Sequence, residues 1–352
     1  MTNWVGWDIG GAHVKAALVN ASGEVVKLVQ QPCPLWQGIE HLEQAVSSIA
    51  EGFKLTNVRH AVTMTGELVD LFTHRDEGVE RIIATLRPIL ADGRMQVYAG
   101  HAGLLALEQI GANQYPAIAS ANWLASASYA AQCVPKALFI DIGSTTTDIL
   151  AVVAGHVRAE GYTDYQRLQS QELVYTGIVR TPVMAVVSSV IDEGLAVGVM
   201  AEYFATMADV YRVTRELDER HDHYAAADGA EKTVNASARR LARMIGCDFA
   251  EKELMRWQRF AEAIKAKQLQ KIQASCECIL DRYALSNDAP LVAAGIGRFL
   301  VKQLALSLRR PYVDFSDLFT QADLVRQAGL QPADCAPAVA LACLAQAGAQ
   351  HG

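Results

Sequence analysis

The sequence predicts an α/β chain of two similarly built halves, and two observations carry that prediction. The first is a duplicated motif: Asp8-Ile9-Gly10-Gly11-Ala12-His13-Val14-Lys15 and Asp141-Ile142-Gly143-Ser144-Thr145-Thr146-Thr147-Asp148 share the order Asp-Ile-Gly-small-small. The second is the alternation of strand-like apolar runs with helical patterns after each motif, which marks an α/β sheet. The length agrees, since 352 residues accommodate about two domains of roughly 150 residues each. The expected halves are residues 1–135 and 136–352.

Each motif is framed by apolar residues, Trp4–Trp7 and Ala137–Ile140 before it, Ala16–Val19 and Ile149–Val153 after it. Each therefore reads as a strand, a tight glycine turn and a second strand. In the first half a third strand is expected at Val25–Gln30, then a helix at Ile39–Phe53 and a strand at Ala61–Met64. A helix around Glu77–Leu90, a strand at Met95–Ala99 and a small-residue helix at Asn122–Cys133 follow. The second half restarts the plan at Ala137, with a strand-like stretch at Val183–Val190. Helices are expected at Met200–Val213, Lys232–Gly246 and Ala250–Ala284. The short apolar strand Pro290–Ala294 runs into Gly295-Ile296-Gly297 and the helix Arg298–Leu308, and a last helix is expected at Pro337–Gln346. Charge concentrates in Glu202–Met255, which reads as a helical insertion at about 200–285 in the second half or as helices packing on the sheet's face.

Composition narrows the function classes. At 51% hydrophobic and 20% charged, the chain can bury large cores. A net charge of -7 without a dense Lys/Arg patch argues against a nucleic-acid partner. A buried-looking strand from Trp4 leaves no room for a signal peptide. The alanine-rich stretch Ile118–Val134 carries Asn122 and Gln132, so no membrane span is expected. Seven scattered cysteines predict reduced thiols and a cytoplasmic protein. Cys276 and Cys278 lie two apart in a helical pattern and do not face one another, which argues against a metal site.

The chemistry gathers at the two turns. A glycine there removes the Cβ that blocks close approach, so the turn's N–H groups can point at an anion. Asp8 and Asp141 stand where strands end, placed to hold Mg²⁺ or its water shell, or more plainly to cap the turn. The backbone of Gly10, Gly11, Ala12, Gly143 and Ser144, and the hydroxyls of Ser144, Thr145 and Thr146, suit phosphate oxygens, though threonines are also simply good strand formers. Lys15 and Asp148 follow their Asp residues at the same offset of seven, opposite in charge. Lys15 suits a phosphate, an acid or a solvated strand. Arg180, stiffened by Pro182, offers a planar fork to a phosphate or carboxylate, or to a salt bridge. Glu202 and Asp209 are seven apart and are expected to share one helix face, while Arg239, Arg240 and Arg243 read as a solvated face. His13 and His101 lie in or beside glycine turns, where a lone histidine is more often a local hydrogen bonder than a base. No Gly is followed directly by Lys, so a Walker loop is absent, and Gly295-Ile296-Gly297 lacks the third glycine of a dinucleotide fingerprint at Leu300.

The paired turns and the late glycine pair together resemble the actin, hexokinase and Hsp70-type ATPase superfamily. That resemblance implies two ribonuclease-H-like domains facing a central cleft, each holding phosphates with one hairpin, with Gly295 and Gly297 near a nucleotide or substrate. The phrases Trp7–Ala12, Thr65–Leu68, Ser120–Trp123, Asp141–Asp148, Tyr175–Pro182 and Glu202–Val210 resemble one branch of the hydantoinase/oxoprolinase-related proteins. This branch, the tetrahydromethanopterin-linked C1-transfer pathway proteins, is similar to archaeal enzymes of methanofuran biosynthesis that make an aryl furfuryl ether. It implies a transferase of small molecules, with Mg²⁺ at Asp8 and Asp141. A tyramine- or tyrosine-type phenol would attack the CH₂ carbon of an aminomethyl-furanmethyl diphosphate, and diphosphate would leave. Asp148, His13 or Asp141 would serve as base, and Lys15 and Arg180 would add charge. ATP binding, the phenol's identity and the oligomeric state stay open. The alternative is an ATP-dependent small-molecule kinase with Asp141 as base, and a nucleotide-sensing protein is a third reading.

Overall fold

A computed structural model of the chain describes residues 2–53, 58–90, 94–327 and 329–351. In chain order the elements are β1 (Asn3–Ile9), β2 (His13–Val19), β3 (Val25–Pro32), α1 (Glu40–Phe53), β4 (Val58–Met64), α2 (Arg75–Leu90), β5 (Met95–Tyr98), β6 (Leu104–Ala106), α3 (Tyr115–Ile118) and α4 (Asn122–Cys133). Then follow β7 (Ala137–Ile142), β8 (Thr147–Val153), β9 (His156–Arg158), α5 (Asp164–Ser170), β10 (Leu173–Val174), α6 (Val183–Val186), β11 (Ser189–Asp192) and β12 (Leu195–Gly198). The last are α7 (Met207–Val213), α8 (Val234–Arg243), α9 (Leu254–Arg282), β13 (Leu291–Ala294), α10 (Arg298–Leu308), β14 (Tyr312–Asp314), α11 (Asp323–Gln327) and α12 (Ala336–His351).

The chain divides into two units. Unit 1 holds Met1–Ala137, Val152–Arg158 and Val313–Gly352, and unit 2 holds Leu138–Ala151 and Ala159–Tyr312. The first sheet runs β3-β2-β1-β4-β5-β6 and the second β10-β8-β7-β13-β14. Numbered along each sheet, with the short β9 that pairs with β8 set aside, both follow one path, 3-2-1-4-5, the ribonuclease-H-like order; β6 is an added edge strand. A hairpin opens each sheet, and a parallel strand returns beside its first strand, β4 on β1 and β13 on β7.

The expected boundary at 135/136 assigns the C-terminal helix to the second half, whereas the structure places it in unit 1. The reason is packing. β1 is buried on both faces from Trp4 to Ile9, and α12 covers one of them. A Cβ on Gly6 would sit 1.9 Å from the Ala338 carbonyl, so this glycine is what lets the helix backbone lie against the strand. On the core's other side Trp7, Ile9, Val62 and Met64 meet Leu42, Val46 and Ile49 of α1 and Val79, Ile82 and Leu86 of α2.

Inside this core the Trp7 indole Nε1 donates to His60 Nδ1 at 3.2 Å. His60 is 6% exposed, and burial, helped by the Arg94 charge, pushes its imidazole down to about 4 from an ordinary 6.5. The unfolded chain therefore binds the proton first, so stability is full above about pH 6.5 and falls as pH drops toward 4. The loss approaches about 3 kcal/mol at the acid end. Denaturant unfolding at pH 7 and pH 5 should show this slope, and His60→Gln, which can still accept from Trp7, should flatten it. An unflattened slope would locate the titrating group elsewhere.

The 200–285 segment contains α7, α8 and the 29-residue α9. Two expectations for it are corrected. Glu202 and Asp209 do not share a helix face: Glu202 is exposed and precedes α7, while Asp209 is buried, its carboxylate accepting the Thr206 N–H in the helix's first turn. Nor is Arg240 on a solvated face. Arg239 is exposed, but Arg240 is fully buried and bonds Asp209 and Asp228, each at 2.8 Å. The neighbouring Arg212 is likewise buried, held by Glu219 at 2.8 Å and Asp222 at 2.5 Å. The strand-like Val183–Val190 divides into the short helix α6 and the start of β11. Among the described residues no helix is long and apolar enough to cross a membrane.

Candidate functional site

The duplicated motifs form two four-residue turns of matching geometry. In unit 1 the Gly10 N–H donates to the His13 carbonyl at 2.9 Å, and in unit 2 the Gly143 N–H donates to the Thr146 carbonyl at 2.9 Å. A parallel strand's end braces each: the Thr65 N–H donates to Ile9 O, and the Gly297 N–H to Ile142 O, both at 2.9 Å.

The turns' carbonyls are also tied. Gly11 O accepts from Leu35 N–H at 3.1 Å and Ala12 O from Cys33 N–H at 2.8 Å. Gly143 O accepts from Ile178 N–H at 3.0 Å, and Ser144 O from the N–H groups of Val179 and Arg180 at 3.0 and 2.9 Å. In a trans peptide C=O and the following N–H point in opposite directions. Fixing those carbonyls therefore turns the N–H groups of Ala12 and His13, and of Ser144 and Thr145, away from the bracing segments. Among the described residues the N–H groups of Gly11, Ala12, Ser144, Thr145 and Thr146 have no protein acceptor. Turns of this kind suit an anion.

In unit 1 Asp8 and Lys15 stand opposite one another across β1 and β2. Asp8 is buried; burial pushes its carboxyl above the usual range, while Lys15 and the Asn122 amide, 3.4 Å from Oδ1, pull it back. Lys15 Nζ donates to the Asp334 carbonyl at 2.7 Å, so its ammonium is anchored beside Asp8. Asn122 begins α4 two residues after Ser120, a residue at φ +52° whose hydroxyl donates to the buried Glu67 at 2.7 Å. The sequence alone assigns no role to Asn122, Glu67 or Ser120, although the phrases that contain them stand out.

In unit 2 Asp141 is half-buried near the end of β7, paired in register with Ala294. Its Oδ1 lies 2.3 Å from where a Cβ on Gly295 would be, at φ +79°. A Cβ on Gly297 would meet Ile142 Cγ2 at 2.5 Å. The late glycine pair is thus accounted for by close packing on the strand that carries Asp141. Ser144 and Thr145 are half-buried, their hydroxyl oxygens 3.3 Å apart. Arg180 is exposed; its backbone reaches the turn, while its guanidinium lies 5.0 Å over the Tyr224 ring.

Asp148 needs correction as a candidate base. It accepts from Arg167 at 2.6 Å, and Arg167 is only 2% exposed. Burial raises the Asp148 carboxyl and Arg167 lowers it, with burial the larger influence. The pair anchors α5 to β8 and leaves Asp141 as the carboxylate beside the turn. Asp148→Asn should cost about 3 kcal/mol of stability by removing the negative charge that offsets the buried guanidinium, measurable by denaturant unfolding. An unchanged midpoint would mean Arg167 is satisfied without it.

His13 is half-buried in its turn, whereas His101 lines a cavity of about 570 Å³ in unit 1 together with Trp4, Tyr98 and Leu341. A second cavity of about 430 Å³ lies against Arg59, Arg94 and Glu108. Neither includes a residue of the two turns. Among the described residues no group of three or more His, Cys, Asp or Glu side chains is placed to hold a metal.

The hydantoinase/oxoprolinase family model matches residues 59–315, which include the Asp141 turn and both glycines of the late pair. The chain belongs to the hydantoinase/oxoprolinase family. Within reach of this family member, a relative from Methanocaldococcus jannaschii is 30% identical over 302 residues, 85% of this chain and 87% of the relative. It is named (4-{4-[2-(gamma-L-glutamylamino)ethyl]phenoxymethyl}furan-2-yl)methanamine synthase. A protein of the same name from Methanococcus vannielii is 26% identical over 185 residues, 52% of this chain and 82% of that protein. Among solved structures, nucleotide-free acetone carboxylase aligns with a TM-score of 0.57 at 11% identity, covering 97% of this chain and 69% of that one, a likeness of fold.

Proposed function

We propose that this family member is a transferase that forms an aryl furfuryl ether of the methanofuran type. The observation that carries the reading is the 30% identity, along 85% of the chain, to a synthase whose named product contains a phenoxymethyl-furan ether. The reaction joins a tyramine- or tyrosine-type phenol to an aminomethyl-furanmethyl diphosphate. The phenol oxygen attacks the CH₂ carbon and the C–O ether bond forms. The bond from that carbon to the diphosphate oxygen breaks, and its electron pair leaves with diphosphate. The phenol's proton passes to a base at the site, for which Asp141 and His13 are the half-buried candidates.

The furan ring stabilises positive charge on the CH₂ carbon, so the departing diphosphate needs the most help. Outward N–H groups of Ser144 and Thr145 provide it, aimed where negative charge grows. Gly11 and Ala12 offer the same donors in unit 1, where Lys15 holds a fixed positive charge. A Mg²⁺ ion takes one or two carboxylates and completes its shell with water and phosphate oxygens. Asp141 beside its turn fits that donor set, and Asp8, more deeply buried, is the unit 1 candidate. Bound there, Mg²⁺ would supply charge neutralisation for the leaving diphosphate.

Titration calorimetry with inorganic diphosphate and with ATP, Mg²⁺ present, tests this reading. Diphosphate binding without ATP binding is expected, followed by diphosphate release from a furfuryl diphosphate only when a phenol is supplied. Tight ATP binding with phosphoryl transfer to a small acceptor would replace this reading with the kinase.

A further inference from the structure

We propose that Gln268, oriented by Tyr211, is a positioning residue that holds the Gly143–Thr146 turn in its anion-binding form by clamping Thr176–Gly177 beneath it. The assignment of this turn to diphosphate rests on the function proposed above; the clamp itself rests on geometry within unit 2.

Gln268 is fully buried midway along α9, where a polar amide must be satisfied by the protein. Its Nε2 donates to Thr176 Oγ1 at 2.7 Å and to the Gly177 carbonyl at 2.9 Å. Its Oε1 accepts from the Tyr211 hydroxyl. Both N–H donors are thus used, and the Tyr211 donor sets which way the amide faces. Tyr211 is itself fully buried, which holds it protonated, and its ring meets Phe299 edge-on at 5.4 Å in the first turn of α10.

The clamped segment touches the turn directly. Thr176 O accepts the Thr147 hydroxyl at 2.8 Å, and the Gly177 N–H donates to Thr181 Oγ1 at 2.8 Å. A Cβ on Gly177 would lie 2.4 Å from Thr145 N. The next three residues supply the N–H groups that fix the carbonyls of Gly143 and Ser144. Gln268 therefore acts one layer behind the turn: it fixes residues 176–177, these place 178–180, and 178–180 set which way the turn's N–H groups point.

The test uses Gln268→Met, which keeps the volume and removes the hydrogen bonds, and the milder Tyr211→Phe. Three quantities are read: amide exchange at Gly143, Ile178, Val179 and Arg180 without ligand, inorganic diphosphate affinity with Mg²⁺, and melting temperature. Gln268→Met is expected to speed exchange at those amides and weaken diphosphate binding, each about tenfold, the scale of one buried hydrogen bond. Tyr211→Phe should move both in the same direction by less, and the double variant should be no worse than Gln268→Met. A lower melting temperature with exchange and affinity at wild-type values would overturn the clamp. Wild-type protein that binds no diphosphate would sink the functional reading instead, while the exchange measurement would still decide the clamp.

Discussion

Asp141→Asn is expected to lower diphosphate release about 10²- to 10³-fold while the protein melts close to wild type. The size follows from removing one group that stabilises developing charge at a preorganised site. The expected melting behaviour follows from its setting. Asp141 is half-buried near a strand end, and Asn keeps the side-chain shape that fits over Gly295. What changes is the charge, and with it the donor a Mg²⁺ ion or an incoming phenol's proton would use. Diphosphate affinity should fall in the presence of Mg²⁺ and change much less in its absence. Full turnover in this variant would remove Asp141 from the reaction and shift attention to Asp8 in unit 1.

Much of the framework was legible because it is written locally. Strand, glycine turn and strand are set by neighbours within eight residues, and the duplication made the pattern plain twice. Asn122–Cys133 and Arg298–Leu308 emerge as helices with the bounds expected for them. What escaped is carried by distant contacts. Gln268 reads as one more polar residue on a long helix, and only the fold brings it to Thr176, 92 positions away. Arg240 sits in a run of arginines that looks solvated, until Asp209, 31 positions earlier, proves to be its partner. Asp148 matched Lys15 in offset, yet α5 delivers Arg167 to it from a segment with no motif of its own. The C-terminal helix reads as closing the second half, and the small residue at Gly6 that admits it to β1 is 332 positions from Ala338.

The second large effect is expected of Gly177→Ala. A methyl group there would fall 2.4 Å from Thr145 N, 2.5 Å from Ser144 C and 2.6 Å from Gly143 O, all of them backbone atoms of the Gly143–Thr146 turn. No side-chain rotation relieves such a contact, so either the turn or residues 176–178 must move. Gln268 and Thr181 hold Gly177 from the other side through its carbonyl and its N–H, which directs the displacement into the turn. A shift of about 1 Å in groups that align a reacting centre costs roughly 10²-fold in turnover, and a loss of that size is expected, with weaker diphosphate binding. Gly198→Ala is the control, since a Cβ at Gly198 meets nothing within 4 Å and should leave turnover unchanged. If Gly177→Ala matches that control in turnover and diphosphate affinity, the turn tolerates displacement and its N–H groups are not what the diphosphate requires.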